Sequence, residues 1–155
     1  MSRPDNRRAT SARRPGNGQR GMSAAVELTV LVPVMVMMLG MIVAGGRLWF
    51  ARSAVVDAAQ GSARAATLAR SPAAARVAAK QVGLANLDGH DLHCLSAVVS
   101  VDVNAFGVPV GQPATVTAEV TCRVGFADVF LPGLPGSIVL QANGSSALDT
   151  YRGRR

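Results

Sequence analysis

Residues 22–50 read MSAAVELTVLVPVMVMMLGMIVAGGRLWF, and this stretch decides how the rest of the chain is interpreted. From Leu28 to Gly46 there are 19 consecutive uncharged residues, and Thr29 carries the one polar side chain among them. As an α-helix this run is roughly 28 Å long, about the thickness of the hydrocarbon core of a bilayer. A surface helix of a soluble protein would show a polar face. The run therefore predicts a transmembrane helix over residues 22–50.

The charges on either side of this run predict its orientation. Six arginines lie within positions 1–20, whereas Arg47, Arg52 and Arg64 follow the run. By the positive-inside rule, the N-terminus is expected in the cytoplasm and the chain after Phe50 outside the cell membrane, which the protein crosses once. Trp49 and Phe50 are typical of the aromatic belt at a membrane surface.

Residues 1–21 predict a disordered, basic cytoplasmic leader. They contain two Pro, three Gly and six Arg, so they offer too little apolar surface to offset the entropy of ordering. A cleaved secretory signal peptide is the alternative interpretation of the N-terminal region. Against it, the apolar run is longer than the usual 7–15-residue core of a signal peptide, and the carboxylate of Glu27 stands where such a core would begin.

The positive net charge of +7 belongs to the two ends of the chain. Positions 1–20 hold six Arg and one Asp, positions 152–155 hold three Arg, and the residues between carry seven basic and eight acidic groups. A nearly neutral middle argues against a basic nucleic-acid-binding face on a folded domain, so no nucleic acid partner is expected. An arginine tether to nucleic acid or anionic lipid is a further hypothesis, but the same arginines already serve as a topology signal.

Beyond the membrane the pattern first predicts helix. The stretch 47–69 is Ala-rich, lacks Pro and carries a narrow apolar stripe at helical spacing. Ser71 followed by Pro72 predicts an N-cap that restarts the helix, and Gly83 is expected to end it. We therefore expect an Ala-rich extracytoplasmic helix over residues 51–83 with a break near 70–72.

Residues 84–155 then predict a small β-rich extracytoplasmic domain with a basic tail. Residues 97–103 and 114–124 alternate apolar and polar side chains and form a predicted hairpin. A third strand is predicted around Ile138, Leu140 and Ala142, whereas residues 126–137 are expected to be irregular because of their Pro and Gly. The fold class expected is an α+β membrane protein, in which the Ala-rich helix packs on a small antiparallel sheet.

The two cysteines, Cys94 and Cys122, both fall in the part predicted to lie outside. An even count in an oxidising compartment predicts one disulfide, which closes a loop of about 28 residues. Two unpaired, buried thiols are the alternative.

The sequence GHDLHC at residues 89–94 carries the one cluster with metal-ligating side chains. His90, His93 and Cys94 are possible zinc or copper ligands, but no second ligand group follows at a matching spacing, so a solvated turn is preferred and no metal or cofactor is expected. The chain has no phosphate-binding loop, no dinucleotide fingerprint and no nucleophile elbow, so no enzymatic activity is expected.

The order of these features resembles the TadE-like family, a group of pilin-like proteins in the tight-adherence (Tad/Flp) pilus systems of bacteria. The resemblance covers Ser23 to about Ala66, less than a third of the chain. It rests on Ala25-Val26-Glu27, Val32-Pro33, Gly46-Arg47, Ala51-Arg52, Ala58-Ala59, and Gly61 with Ala63-Arg64-Ala65-Ala66. It implies a minor pilus subunit or assembly component, whose partners are membrane lipid, other pilin-like subunits, the Tad assembly machinery and a prepilin peptidase.

The resemblance also implies roles for individual residues near the start of the helix. Prepilin-type processing usually follows Gly and leaves Glu as the fifth residue of the mature chain. Here a cut after Gly21 makes Glu27 the sixth residue, and a cut before Ser23 makes it the fifth but follows Met22. The sequence is compatible with cleavage after Gly21, with cleavage after Met22, and with no cleavage.

Glu27 and Pro33 are the predicted assembly residues. Glu27 is expected in the first turn of the helix, where the helix dipole alone would favour a carboxylate, and its side chain could also reach the headgroups without any further role. The family resemblance implies instead that it pairs with the N-terminal amine of a neighbouring subunit. Pro33 removes one backbone hydrogen bond and loosens the helix. An unrelated single-pass membrane protein whose exterior domain binds a protein partner is the alternative function.

Overall fold

The computed structural model describes residues 19–129, 133 and 135–151, with side chains from residue 27 onwards. Within these described residues three α-helices and three strands follow one another. They are α1 (Gln19–Leu68), α2 (Pro72–Gly89), β1 (Cys94–Asp102), β2 (Ala114–Gly125), α3 (Phe126–Val129) and β3 (Ser137–Leu148), with a 3₁₀ turn at Asn104–Gly107 between β1 and β2. A long apolar N-terminal helix with a small antiparallel sheet confirms the predicted α+β class.

Contacts divide the chain into two units, residues 1–40 and 41–155. The described part of the first unit is the beginning of α1, which starts at Gln19, three residues before the predicted start and inside the segment expected to be disordered. No proline lies between Gln19 and Pro33, and the residues between them are mostly compatible with a helix, so nothing breaks it there. The helix continues through Pro33.

The sheet of the second unit has the strand order β1-β2-β3 and is antiparallel throughout. Val120 of β2 lies opposite Val99 on one side and Ala142 on the other. Along β2 every second side chain is buried, namely Val116, Ala118, Val120, Cys122 and Val124. This alternation confirms the predicted strand and places one face of the sheet against the helices.

The helices cover that face with small side chains. The buried residues of α1 are mostly alanines, and α2 adds Ala75, Ala79 and Leu87. Small side chains let the backbones approach closely. A Cβ atom added to Gly144 of β3 would overlap backbone atoms of Ala59 in α1. The core is therefore thin and depends on close backbone contact between helix and sheet.

Helix α2 begins as the sequence predicts but ends later. Ser71 is its N-cap and accepts a hydrogen bond from the backbone N–H of Ala74 at 3.3 Å, with Pro72 following it. The expected stop at Gly83 is wrong, since the helix continues to Gly89. Gly83 serves packing instead, because a Cβ atom there would overlap the Ser62 hydroxyl and lie 3.0 Å from Val99.

Two further expectations need correction. Strand β3 extends to Leu148, six residues beyond the last residue assigned to it from sequence, because Gly144 and its serine neighbours continue the ladder with β2 instead of turning. The segment expected to be irregular begins with a single helical turn, Phe126–Val129. Phe126 then donates its backbone N–H to the carbonyl of Gly136 at 3.0 Å, which closes the connection to β3.

Candidate functional site: the apolar segment of helix α1 and the domain that follows

The apolar segment of α1, residues 28–43, carries large hydrophobic side chains on every side. The exposed fractions of its valines, leucines, isoleucine and methionines range from 51% at Val32 to 77% at Met37 and Met41. The span Glu27–Leu68 contains a window with mean hydropathy 2.4, none of which is buried. By length and composition this helix can cross a membrane, and a bilayer is the solvent that suits a helix apolar all round.

The predicted processing residues Gly21, Met22 and Ser23 all lie within α1, in its first turns. Their roles stay predictions, since neither the fold nor the position in the helix tests them. The structure places them six, five and four residues before Glu27.

Glu27 does not occupy the position expected for it. Because α1 begins at Gln19, Glu27 is its ninth residue and lies in the third turn, and no acidic residue occupies the first turn. The helix dipole acts mainly within the first turn, so it does not account for this carboxylate. The side chain is exposed, and among the side chains that the structure describes none forms an ion pair with it. Pro33 lies six residues further along the same helix.

The second half of α1 is buried in the following domain. Its inward stripe consists of Ala51, Ala54, Val55, Ala58, Ala59, Ala63 and Ala66, each at most 6% exposed. The two polar residues buried beside this stripe have partners. The Ser62 hydroxyl donates to the Ala58 carbonyl at 2.7 Å, and the Thr67 hydroxyl donates to the Arg64 carbonyl at 2.8 Å. The buried alanines among the family-like motif residues after Phe50 therefore hold the helix on the sheet, whereas Arg52 and Arg64 are exposed.

A disulfide joins Cys94 and Cys122, which confirms the predicted pairing. Their Cα atoms are 5.5 Å apart, and the bridge ties the first residue of β1 to the central strand. Cys122 is fully buried beside Val120 and Val124 in the core. Neither cysteine is therefore available as a metal ligand.

The GHDLHC segment forms the turn between α2 and β1. His90 is the C-cap of α2, and its Nε2 lies 3.6 Å from a carboxylate oxygen of Asp57 on α1. Asp91 adopts a positive φ of 55° in this turn. Among the described residues no group of three or more His, Cys, Asp or Glu side chains is arranged to hold a metal ion. The segment connects α2 to β1, and its His90 contacts Asp57 of α1.

Sequence reasoning missed the residues that set the distance between helix and sheet. Gly83, which the sequence predicts as a helix stop, and Gly144, which lies outside the predicted strands, are both positions where another element packs closely. A weak signal was available for β3: the residues from 137 to 148 contain no Pro and no charge, which favours a continuous strand.

A family model described as TadE-like protein matches residues 22–64. The match begins at Met22, spans the apolar segment and ends within the buried stripe of α1, so it covers under a third of the 155 residues. No curated protein and no solved structure matches the chain. The family match confirms the resemblance seen in the sequence: residues 22–64 are similar to the TadE-like family, which points to a component associated with a Tad pilus.

Proposed function

We propose that this protein is a pilin-like minor subunit or assembly component of a Tad/Flp-type pilus or a related secretion system. The observation that carries the proposal is the coincidence of the family match with one uninterrupted helix. The matched residues comprise an exposed apolar segment and a buried small-residue stripe, in that order. A membrane-anchored subunit with a folded exterior domain needs both parts.

In this proposal residues 28–46 cross the cell membrane once, with the N-terminus in the cytoplasm. The bias of six arginines before the apolar run over the three that follow it supports that orientation. The disulfide supports it as well, because such bonds persist in oxidising compartments outside the cytoplasm. The protein acts by association with lipid, other pilin-like subunits and the Tad machinery, without enzymatic activity, cofactor or nucleic acid.

Glu27 is the residue proposed to direct assembly. It lies immediately before the apolar segment, is exposed, and has no ion-pair partner among the described side chains. An unpaired carboxylate is most costly at the centre of a bilayer and less so at its edge, and pairing with a cation lowers that cost at either depth. An amine or guanidinium of a neighbouring subunit, at the same depth in the membrane, would supply the pairing. Cleavage after Gly21 or Met22 would create such an amine within two turns of Glu27.

The substitution Glu27→Gln tests this role because it removes the charge while it keeps the size and polarity of the side chain. Membrane insertion is expected to be unchanged or slightly easier. Recovery of the protein in sheared surface material, and in cross-linked complexes with other pilin-like subunits, is expected to fall at least tenfold at equal membrane abundance.

Glu119→Gln is the matched control, since Glu119 is a carboxylate on the outer face of the sheet and lies far along the chain from the apolar segment. This variant is expected to assemble as the parent does. Equal cross-linking yields for Glu27→Gln and the parent would contradict the assembly role and favour a plain membrane anchor.

A further inference from the structure

A cavity of about 560 Å³ lies between helix α1 and the turn that connects α2 to β1. Its apolar lining includes Ala51 and Ala54 of α1, which are buried, and Leu92 of the turn, which is half-buried. All of its lining residues belong to the unit formed by residues 41–155. The cavity is therefore a feature of the folded domain alone.

The polar part of the lining carries charges of both signs. Five of its side chains are charged or can accept a charge, namely Arg47, His90, Asp91, His93 and Asp128. Apart from His90, none of these side chains forms a hydrogen bond or ion pair among the described residues. In the same part of the chain, no such group is arranged to hold a metal ion. A cation and two carboxylates therefore line one cavity without partners.

The walls of the cavity are fixed by contacts within the domain. The Nε2 atom of His90 lies 3.6 Å from a carboxylate oxygen of Asp57, which holds the turn beside α1. The backbone N–H of Leu92 donates to the carbonyl of Leu87 at 3.1 Å, and the Leu92 side chain packs on the core. Asp128 stands in the short helix α3, directly after β2. A ligand would not have to order these walls, which lowers the cost of binding.

The cavity begins where the apolar run of α1 ends. Residues 41–46 are the last of that run, belong to the same unit as the cavity, and expose more than half of each large side chain. Arg47 follows directly, and Ala51 lies roughly 7 Å beyond the run along the helix axis. The headgroup layer on each side of the hydrocarbon core is about 5–7 Å thick. Trp49 and Phe50, which are 73% and 74% exposed, are residue types found at that depth.

The charges of the lining indicate which headgroup fits. The guanidinium of Arg47 matches the geometry of a phosphate, and Arg47 is the lining residue next to the apolar run, on the side where lipid phosphates lie. The carboxylates of Asp91 and Asp128 suit an ammonium that donates hydrogen bonds. A headgroup with a phosphate alone would leave both carboxylates unpaired beside an added negative charge. A trimethylammonium cannot donate a hydrogen bond to them.

We infer that this cavity binds the headgroup of a phospholipid with a phosphate and a primary ammonium, as in phosphatidylethanolamine. The inference rests on the proposed membrane anchoring, which brings residues 41–46 into the bilayer. Arg47 binds the phosphate, and Asp91 and Asp128 bind the ammonium. A headgroup held in this way joins the folded domain to the membrane surface at a second point besides the helix.

Lipid retention by the full-length protein tests the inference. The protein is placed in nanodiscs of phosphatidylcholine that contain either phosphatidylethanolamine or phosphatidylglycerol as an equal minor component, and the lipids that stay bound are identified by native mass spectrometry. Phosphatidylethanolamine is expected to be enriched about threefold over phosphatidylcholine, the size of effect that exposed ion pairs give. No enrichment, or enrichment of phosphatidylglycerol instead, would overturn the inference.

Two sets of variants separate the roles of the two charges. Asp91→Asn with Asp128→Asn removes both carboxylates, and Asn tolerates the positive φ of residue 91. This variant is expected to lose the enrichment of phosphatidylethanolamine and to retain phosphatidylglycerol better, because Arg47 remains. Arg47→Gln is expected to lower the retention of phosphatidylethanolamine and phosphatidylcholine alike, since both carry the phosphate. Parent-like selectivity after loss of both carboxylates would contradict the assigned roles.

Arg52→Gln and Asp88→Asn are the matched controls. Both residues are exposed, neither lines the cavity, and neither forms an ion pair among the described side chains. Each control is expected to retain lipids as the parent does. A loss of retention in Arg52→Gln equal to that in Arg47→Gln would show a general effect of arginine charge and overturn the site.

A soluble headgroup distinguishes a membrane lipid from a free ligand of the same chemistry. Phosphoethanolamine added at the concentration of the lipid is expected to leave phosphatidylethanolamine bound, because the bilayer concentrates the lipid at the cavity. Displacement would overturn the assignment to a lipid.

The inference and the proposed function fail in different ways. Absence of the lipid preference, with assembly still dependent on Glu27, would overturn the headgroup site and leave the assembly role standing. Release of the parent chain from membranes by alkaline carbonate would contradict the anchoring on which both rest.

Discussion

The two halves of helix α1 show how one secondary-structure element can be built for two solvents. Residues 28–43 carry Val, Leu, Ile and Met side chains that are all more than half exposed. Residues 51–66 carry an alanine stripe that is buried against the sheet. Both halves are apolar, yet they differ in the size and distribution of their side chains.

Side-chain size, rather than hydrophobicity alone, therefore distinguishes an anchor from a packing surface. Large side chains on all sides suit contact with lipid, which surrounds the helix evenly. A stripe of alanines buries little area per residue but allows the helix backbone to approach the sheet, as the contact between Gly144 and Ala59 shows. Changes that enlarge the stripe should therefore be far more damaging than the same changes in the anchor.

The largest effect is expected from removing the disulfide, which stabilises the domain and not the anchor. Replacing both Cys94 and Cys122 by Ala should lower the free energy of unfolding of the domain by about 3–4 kcal/mol, because the open loop regains its entropy in the unfolded state. Urea unfolding of the full-length protein in detergent measures this. Membrane insertion is expected to stay the same. A free energy of unfolding within about 0.5 kcal/mol of the parent would contradict a stabilising role of the disulfide.

Two glycine-to-alanine substitutions test whether close backbone contact matters in the folded domain and not in the exposed helix. Gly144→Ala should destabilise the domain by about 2–3 kcal/mol, because the added methyl group overlaps the backbone of Ala59 and forces helix and sheet apart. Gly45→Ala is the control, since a Cβ atom there meets nothing within 4 Å. Equal unfolding midpoints for the two variants would show that close backbone approach does not limit this core.

Much of the fold was predictable wherever one pattern persisted over many residues. The alternation along β2 and the unbroken apolar run of α1 are both of this kind, so both elements were assigned correctly. The Ser71-Pro72 signal also predicted its cap, because the chemistry of capping is local.

What sequence could not supply was the outcome of contacts between distant residues. When only their sequence neighbours are considered, Gly83 and Gly144 look like residues that end a helix or a strand. They lie inside these elements because Val99 and Ala59 approach them from other elements. The start of α1 was misplaced for a related reason. The predicted boundary followed composition, and Gly21, which lies between Gln19 and Met22, does not interrupt the helix.

A smaller effect is expected at the junction between α1 and α2. Ser71→Ala removes the side-chain acceptor for the Ala74 N–H and should cost about 1 kcal/mol. Ser71→Asp, which keeps an acceptor at the N-cap, is the control and should restore the parent midpoint in the same urea experiment. Equal losses for Ala and Asp would mean that the cap does not contribute.

Labelling of single cysteines in whole cells with a membrane-impermeant maleimide measures whether the two halves of α1 lie in different solvents. Met37 and Gln60 are both exposed in the structure and lie on the same helix. Gln60→Cys is expected to be labelled in intact cells, and Met37→Cys is expected to be protected by lipid. Labelling of Met37→Cys as strongly as Gln60→Cys, or labelling of Gln60→Cys only after lysis, would contradict this expectation.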